Sequence, residues 1–343
     1  MTAWFEREWQ RLGGGALIFF PLALLFRLAV FLRRLAYRTG LAKPWRAKVP
    51  VIVVGNISVG GTGKTPVTIA IVEMLKANGF TPGVVSRGYG SVPSTEQDPS
   101  GVVRVFPERA TPEHFGDEPV VIARRCRVPV FISPDRPAAV RALLRTSPEI
   151  DVVVSDDGLQ HYALGRDFSI AVFDERGTGN GRLLPAGPLR EPMARTASLD
   201  AIVINGKPAS PLPVSRLTLR MHLQAAPLYR LADPAEKLAV PDLIARHGAR
   251  VAALAGIGSP ARFFDTLRTL GFEPEPYAFP DHHTYTRADF AGIAAPLIVM
   301  TEKDAIKCAA YADLPIWVLP VAAMVDAALL DAILEKIRGP QTA

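Results

Sequence analysis

Lys64 and Thr65, set directly behind Gly60, Gly61 and Gly63, are the residues of this 343-residue chain whose types and spacing most clearly do chemistry. Three glycines within four positions let successive backbone N–H groups turn toward one anion with no Cβ in the way. Ser58, Val59, Gly60, Gly61, Thr62 and Gly63 then form a cradle for a polyphosphate, Lys64 offers a mobile cation for the β- and γ-phosphates, and Thr65 offers a hydroxyl for Mg²⁺. The general pattern opens with Gly where this chain has Ser58. A second set of candidates lies downstream in Asp156 and Asp157, adjacent carboxylates at the end of the apolar run Val152–Ser155, where the acid that holds nucleotide-bound Mg²⁺ belongs. Further candidates are Arg87 and Tyr89 between glycines, the acid pair Asp117-Glu118, the cluster Asp281-His282-His283, and Thr301-Glu302-Lys303-Asp304.

These residues need elements to position them. Val51–Gly55 is apolar throughout and reads as a buried strand that delivers the glycine loop to a helix from Pro66 to about Ala77, with Asn78-Gly79 ending it. Pro82–Ser86 reads as a second strand that runs into Arg87, either a ligand contact beyond a strand end or a simple turn. Asp117-Glu118 opens a helix, where acids also serve as plain dipole partners. Strands follow at 128–133, 150–155, 169–173 and 201–205. Apolar strands alternating with helices predict an α/β fold around a mostly parallel sheet, like that of P-loop NTPases, with a second, smaller α/β lobe. The expected boundaries are an N-terminal helix region over 1–48, a phosphate-loop domain over 49–206, linker strands over 207–232 and the smaller lobe over 233–343. Gly256-x-Gly258 in that lobe is too short for a dinucleotide fingerprint. Thr301–Asp304 ends a strand in a way reminiscent of the base-reading strand end of GTPases, shifted and without its Asn.

Composition narrows the class. The chain is 49% hydrophobic and 21% charged, ordinary for a globular protein, and its two cysteines, Cys126 and Cys308, lack the spacing of a disulfide framework or zinc site. Its net charge of +6 invites nucleic acid as a partner. The distribution argues against that: residues 1–48 carry nine Lys/Arg against Glu6 and Glu8, which accounts for the whole excess, so no phosphate-backbone stripe crosses the fold. In the same region, Ala16–Phe26 and Leu28–Leu32 are apolar, and Arg27, Arg34 and Arg38 fall on one line of a helix. No apolar run reaches the length of a spanning helix. A basic stripe beside a bulky apolar face describes a helix lying in a membrane interface, or one packed on the protein's own core or a partner.

Taken together and in order, the segments Gly55–Thr65, Ser86–Tyr89, Gly116–Pro119, Asp156–His161, Leu184–Glu191, Phe279–His282 and Thr301–Asp304 resemble the tetraacyldisaccharide 4'-kinases, the lipid A 4'-kinases of Gram-negative bacteria. Ser58 is how that family writes the loop. The resemblance implies transfer of the γ-phosphate of ATP, with Mg²⁺, to the 4'-hydroxyl of a tetraacylated glucosamine disaccharide 1-phosphate. The site implied is the cytoplasmic face of the inner membrane. It further implies Asp117 as base on the sugar hydroxyl with His282 as its partner, and Thr65, Asp156, Asp157 and Glu191 around the metal. Arg87, Tyr89, Gln160 and Arg190 would contact substrate. The residues alone also admit a membrane-associated P-loop NTPase that switches a protein partner and reads guanine through Thr301–Asp304.

Overall fold

A computed structural model describes residues 8–9, 18–88, 101–208, 212 and 215–338. In chain order the elements are α1 (Phe20–Arg38), β1 (Val51–Gly55), α2 (Lys64–Ala77), β2 (Pro82–Ser86), β3 (Val103–Val105), α3 (Pro112–Phe115), α4 (Asp117–Cys126), β4 (Val130–Ile132), α5 (Arg136–Thr146), β5 (Val152–Ser155), β6 (Phe168–Phe173), β7 (Ala201–Asn205) and β8 (Leu217–Ala225). There follow β9 (Leu228–Arg230), β10 (Lys237–Leu238), α6 (Val240–His247), β11 (Arg250–Ala255), α7 (Pro260–Thr269), β12 (Glu273–Ala278), β13 (Ile298–Thr301), α8 (Glu302–Ala305), β14 (Ile316–Leu319), β15 (Val321–Val325) and α9 (Ala328–Arg338).

The apolar runs become the middle of a nine-stranded sheet of order β15-β8-β7-β6-β1-β5-β2-β4-β3. Strands β8 to β4 in that order pair in parallel, and the two edge strands β3 and β15 are antiparallel. Alternation along β1 feeds two cores: Ile52 and Val54 pack with Val67, Ile71 and Leu75 of α2 and Val120 and Ile122 of α4, whereas Val51 and Val53 pack with Ala139 and Leu143 of α5. Cover on both faces is why these strands are apolar at every position rather than at every second one. The mostly parallel α/β architecture is as the sequence predicts. A six-stranded sheet of order β10-β9-β14-β13-β11-β12 forms the smaller lobe.

The sheets divide the chain differently from the expected boundaries. Residues 207–232, expected as linker strands, bridge the two units as members of both sheets: β8 pairs with β7 over five registers in the large sheet and β9 belongs to the small one. Residues 321–338 then return to the first unit: β15 pairs with β8, and Leu329 and Ile333 of α9 enter the same core as β1 and α2. β8 has one half-buried face and one exposed face, the pattern of a strand near a sheet margin, and β15 covers its otherwise open edge.

Helix α1 lies mostly outside both cores. Phe26 reaches the α5-side core, and Tyr37 stacks on Tyr162 at 5.6 Å, but Leu22, Leu25, Leu28, Phe31 and Leu32 are exposed, Leu25 by 65%. No helix among the described residues is long and apolar enough to cross a membrane.

Candidate active site

The phosphate loop is held from outside. Asn56 Nδ2 donates to the Gly60 carbonyl at 3.2 Å, Arg176 Nη2 to that of Gly61 at 3.1 Å, and Asn205 Nδ2 to that of Thr62 at 3.3 Å. Val59 N donates to Pro188 O and Arg190 N to Ile57 O, which fastens the loop to the Leu184–Glu191 segment. With the carbonyls drawn outward, none of the amides of Gly60, Gly61, Thr62 and Gly63 donates to a described residue. That is the arrangement an anion requires. Gly60 and Gly63 take φ of 97° and 95°, and a Cβ on Gly63 would stand 2.8 Å from Asn205 Nδ2, so both glycines are needed by conformation and Gly63 by space as well. Lys64 begins α2, whose N-terminal end points its partial positive charge at the loop.

The two adjacent carboxylates are sent opposite ways. Asp156 is fully buried, takes a hydrogen bond from Thr68 Oγ1 at 2.8 Å, and is pushed up to about 6 by burial and by the charge of Asp157. Asp157 sits at φ 47°, 3.6 Å from Lys64 Nζ and 3.3 Å from Arg190 Nη1. Burial would raise its pKa, but the two cations outweigh burial and hold it below the ordinary carboxylate value. Its Oδ1 is buried with no hydrogen-bond donor among the described residues and faces the Lys64 ammonium at 3.6 Å, so a metal cation there would share this oxygen with Lys64. Glu191 is committed elsewhere: Gln160 Nε2 and Tyr162 OH donate to it at 3.2 and 2.5 Å, and Arg195 lies 3.4 Å away. Among the described residues no three His, Cys, Asp or Glu side chains gather as a metal cage. The expected set of Thr65, Asp156, Asp157 and Glu191 is therefore not one protein-built cluster, because Thr68 holds Asp156 and the Gln160–Tyr162–Arg195 group holds Glu191. Mg²⁺ needs no such cage, since it commonly takes one or two carboxylates and fills its shell with phosphate oxygens and water. Thr65 and Oδ1 of Asp157, which accepts no hydrogen bond from a described residue, fit that habit.

Asp117 and His282 meet across the two lobes. Asp117 opens α4, its side chain is 8% exposed, and His282 Nδ1 donates to its Oδ2 at 3.0 Å. Burial works against the charge on Asp117, yet His282, Lys307 and Lys303 together keep its pKa below the ordinary value. The bond to Asp117 raises that of His282. Of the Asp281-His282-His283 cluster only His282 faces this carboxylate. His283 is occupied by Asp289 at 3.2 Å and stacked on Phe279.

The pair sits beside the phosphate loop because of the Gly256-x-Gly258 turn, which the sequence marked only as too short for a dinucleotide fingerprint. At Gly258, between β11 and α7, an added Cβ would lie 3.1 Å from Gly61 N and 3.4 Å from Asp281 Oδ2, so the smaller lobe meets the loop at a position where a side chain would intrude. The family model for tetraacyldisaccharide-1-P 4'-kinase, LpxK, matches residues 15–338. The chain belongs to the tetraacyldisaccharide 4'-kinase family. A tetraacyldisaccharide 4'-kinase of Dechloromonas aromatica is 46% identical over the full length of both chains, and one of Bordetella parapertussis is 51% identical over 92% of this chain and 90% of its own. Among solved structures, LpxK from Aquifex aeolicus, described as an "apo" form in complex with ATP, superposes with a TM-score of 0.76 at 26% identity, covering 94% of this chain and 99% of the other.

In this 4'-kinase the remaining expected site residues are distributed as follows. Gln160 is held between Asn56 O and Glu191, and Arg190 pairs with Asp157. Arg87 is exposed at the end of β2, and Tyr89 lies outside the described residues. Thr301–Asp304 is turned inward: Thr301 Oγ1 and Gly256 N donate to the two oxygens of the fully buried Asp304, leaving no free carboxylate to read a base. Lys303 instead bridges Glu118 and Asp281, at 3.0 Å each. Sequence reasoning missed Arg136, His161, Arg176 and Lys307. Arg136 is wholly buried and donates to Ser133 O and Asp156 O; burial brings its pKa down to about 10. Burial, helped by Arg136 and Arg87, brings that of His161 down to about 4, so it is a neutral imidazole at pH 7. Only His161 had a local signal, the run Asp156–His161 that contains it.

Proposed function

We propose that this kinase transfers the γ-phosphoryl group of ATP to the 4'-hydroxyl of a tetraacylated glucosamine disaccharide 1-phosphate, at the cytoplasmic face of the inner membrane. The observation that carries the reading is the seat of Gly258 against Gly61, which sets a buried carboxylate and its partly exposed imidazole partner next to undonated phosphate-loop amides. The amides of Gly60 to Gly63, Lys64 and the N-terminal end of α2 take up the charge of the β- and γ-phosphates. Thr65 and Asp157 would hold Mg²⁺, which when bound neutralises charge on the phosphate oxygens. Asp117, ionised at neutral pH, accepts the proton of the sugar hydroxyl, and His282 orients it. Phosphoryl transfer asks more for alignment and charge neutralisation than for a strong base, and a carboxylate suffices. Arg87, Tyr89, Gln160 and Arg190 are assigned to substrate contacts.

The exposed apolar face of α1, with Arg27, Arg34 and Arg38 along it, supports a peripheral seat at the membrane surface, where a water-insoluble acceptor is met. The test is incubation with γ-labelled ATP, Mg²⁺ and the tetraacyl disaccharide 1-phosphate. Label in the lipid that survives removal of nucleotide supports the reading. Label released only as inorganic phosphate, at a rate indifferent to the lipid, overturns it.

A further inference from the structure

Lys307 lies two residues past α8, in the smaller lobe, with its side chain only 4% exposed. Its Nζ is 3.1 Å from Asp117 Oδ2 and 3.6 Å from Asp304 Oδ1. Asp304, one turn back on its own segment, is the farther partner, and both its oxygens already accept from Thr301 and Gly256. Lys307 therefore leans across the lobe boundary toward Asp117. His282 Nδ1 reaches the same oxygen at 3.0 Å, so two cation-capable groups from different segments of the smaller lobe converge on Oδ2, and no described residue donates to Oδ1. Burying an ammonium is costly unless a counter-charge meets it. Here the counter-charge is supplied by the other lobe.

We propose that Lys307 is a positioning residue for Asp117: it pins and neutralises Oδ2 when the lobes meet, and so leaves Oδ1 as the oxygen that takes the proton of the acceptor hydroxyl. This rests on the reading of Asp117 as the base. In the step it serves, the hydroxyl proton moves to Oδ1, the hydroxyl oxygen bonds the γ-phosphorus, and the bridging oxygen leaves with its electron pair on ADP. The groups facing Asp117 are His282 from the turn after β12, and Lys303 and Lys307 from the α8 segment. Asp281 and Asp304 in turn face those cations, and Glu118 is its neighbour on α4.

The experiment compares wild type with Lys307→Met, which keeps length and removes charge, and Lys307→Gln, which can still donate a hydrogen bond. Steady-state kinetics are measured from pH 5 to 9, with Tm recorded alongside. A cation within contact distance lowers an acid by about 1–3 pH units. Its loss moves the acid limb of the kcat profile up by about one unit or more, which is roughly tenfold in rate at any pH on that limb. KM for ATP stays within about twofold, and Lys307→Met adds nothing to the residual rate of Asp117→Asn, because it acts through that carboxylate. An unmoved acid limb, or an effect that persists in full on Asp117→Asn, overturns the proposal. If both variants fail to fold, Lys307 belongs to the fold and the proposal also falls. Near-wild-type activity of Asp117→Asn alone would instead remove the base assignment itself, so the two failures are distinguishable.

Discussion

His282→Ala removes the 3.0 Å bond to Asp117, and the consequence of that loss follows from the geometry. A hydrogen bond to a charged partner contributes about 1.5–3 kcal/mol. The His282 side chain is 34% exposed, so water replaces part of it and the lower half of that range applies. About 1.5–2 kcal/mol corresponds to a kcat loss of roughly 10- to 30-fold, with KM for ATP nearly unchanged because the nucleotide loop is untouched. Asp117→Ala costs more, since the base itself goes. Because the imidazole works through the carboxylate, Asp117→Ala/His282→Ala resembles Asp117→Ala alone. The pair also leaves a mark on stability. Asp117 titrates below its ordinary value, so its contribution is complete above the unfolded carboxylate range and is lost as pH falls through the folded value. His282 titrates above 6.5, so its contribution is complete below 6.5 and is lost as pH rises through the folded value. Thermal melts of wild type therefore show a decline above about pH 6.5 that His282→Ala lacks. Single-turnover rates at saturating ATP across the four proteins decide the matter: losses that multiply in the double variant refute the pairing.

Lys64→Ala abolishes nearly all turnover while the Tm holds, because the β/γ-phosphates lose their cation; a rate within a few-fold of wild type would remove the phosphate-loop assignment. Asp157→Asn shifts the Mg²⁺ dependence of kcat to higher concentration far more than Asp156→Asn, since Asp157 Oδ1 accepts no hydrogen bond from a described residue and Asp156 is tied to Thr68; equal shifts from the two would contradict that division. Removal of residues 1–35 weakens cosedimentation with anionic vesicles while ATP affinity stays within about threefold, and an unchanged vesicle-bound fraction would refute the seat proposed for α1. Gly258→Val drives a side chain against Gly61 N and raises KM for ATP with little change in Tm, which a fluorescent nucleotide titration reads directly.

How much of this was legible in the sequence depends on how local each signal is. Val51–Gly55, Val152–Ser155 and Ala201–Asn205 announce themselves because strands covered on both faces must be apolar at every position, and each ends where the chain turns polar over the ligand. The phosphate loop and the Asp156-Asp157 pair were visible for the same reason: they follow such strands directly; the Asp281–His283 cluster comes after β12, a largely exposed strand rich in Glu and Pro, and was visible only by its residue types. Membership of a sheet is not local. Nothing in Val321–Val325 or Ala328–Arg338 says that they return to the first core rather than finish the second, since either packing buries the same apolar face. From residue types and spacing alone, choosing between His282 and His283 likewise needed the partner from the other lobe, and only the family resemblance pointed to His282. Arg176 and Lys307 are isolated charges whose meaning comes only from Gly61 and Asp117, more than a hundred positions away.

The contacts between the lobes are concentrated on one helix. Asp117, Glu118 and Arg125 of α4 meet His282 and Lys307, Lys303, and Glu302 respectively, while Val120, Ile122 and Ala123 root the same helix in the first core. Helix α4 thus belongs mechanically to the large sheet and electrostatically to the smaller lobe. Ile306, set into the first core, adds an apolar anchor to the segment that carries Glu302, Lys303 and Lys307. A boundary made largely of ion pairs exchanges its partners for water at lower cost than an apolar one of equal area, but Ile306 sits in the first core, so any parting of the lobes would also withdraw an apolar side chain from it. Parting them separates Asp117 from both His282 and Lys307 and draws Gly258 away from Gly61 in the same movement. The carboxylate is then equipped to take a proton only when the smaller lobe is also seated on the phosphate loop, which ties proton acceptance to the arrangement that grips the phosphates.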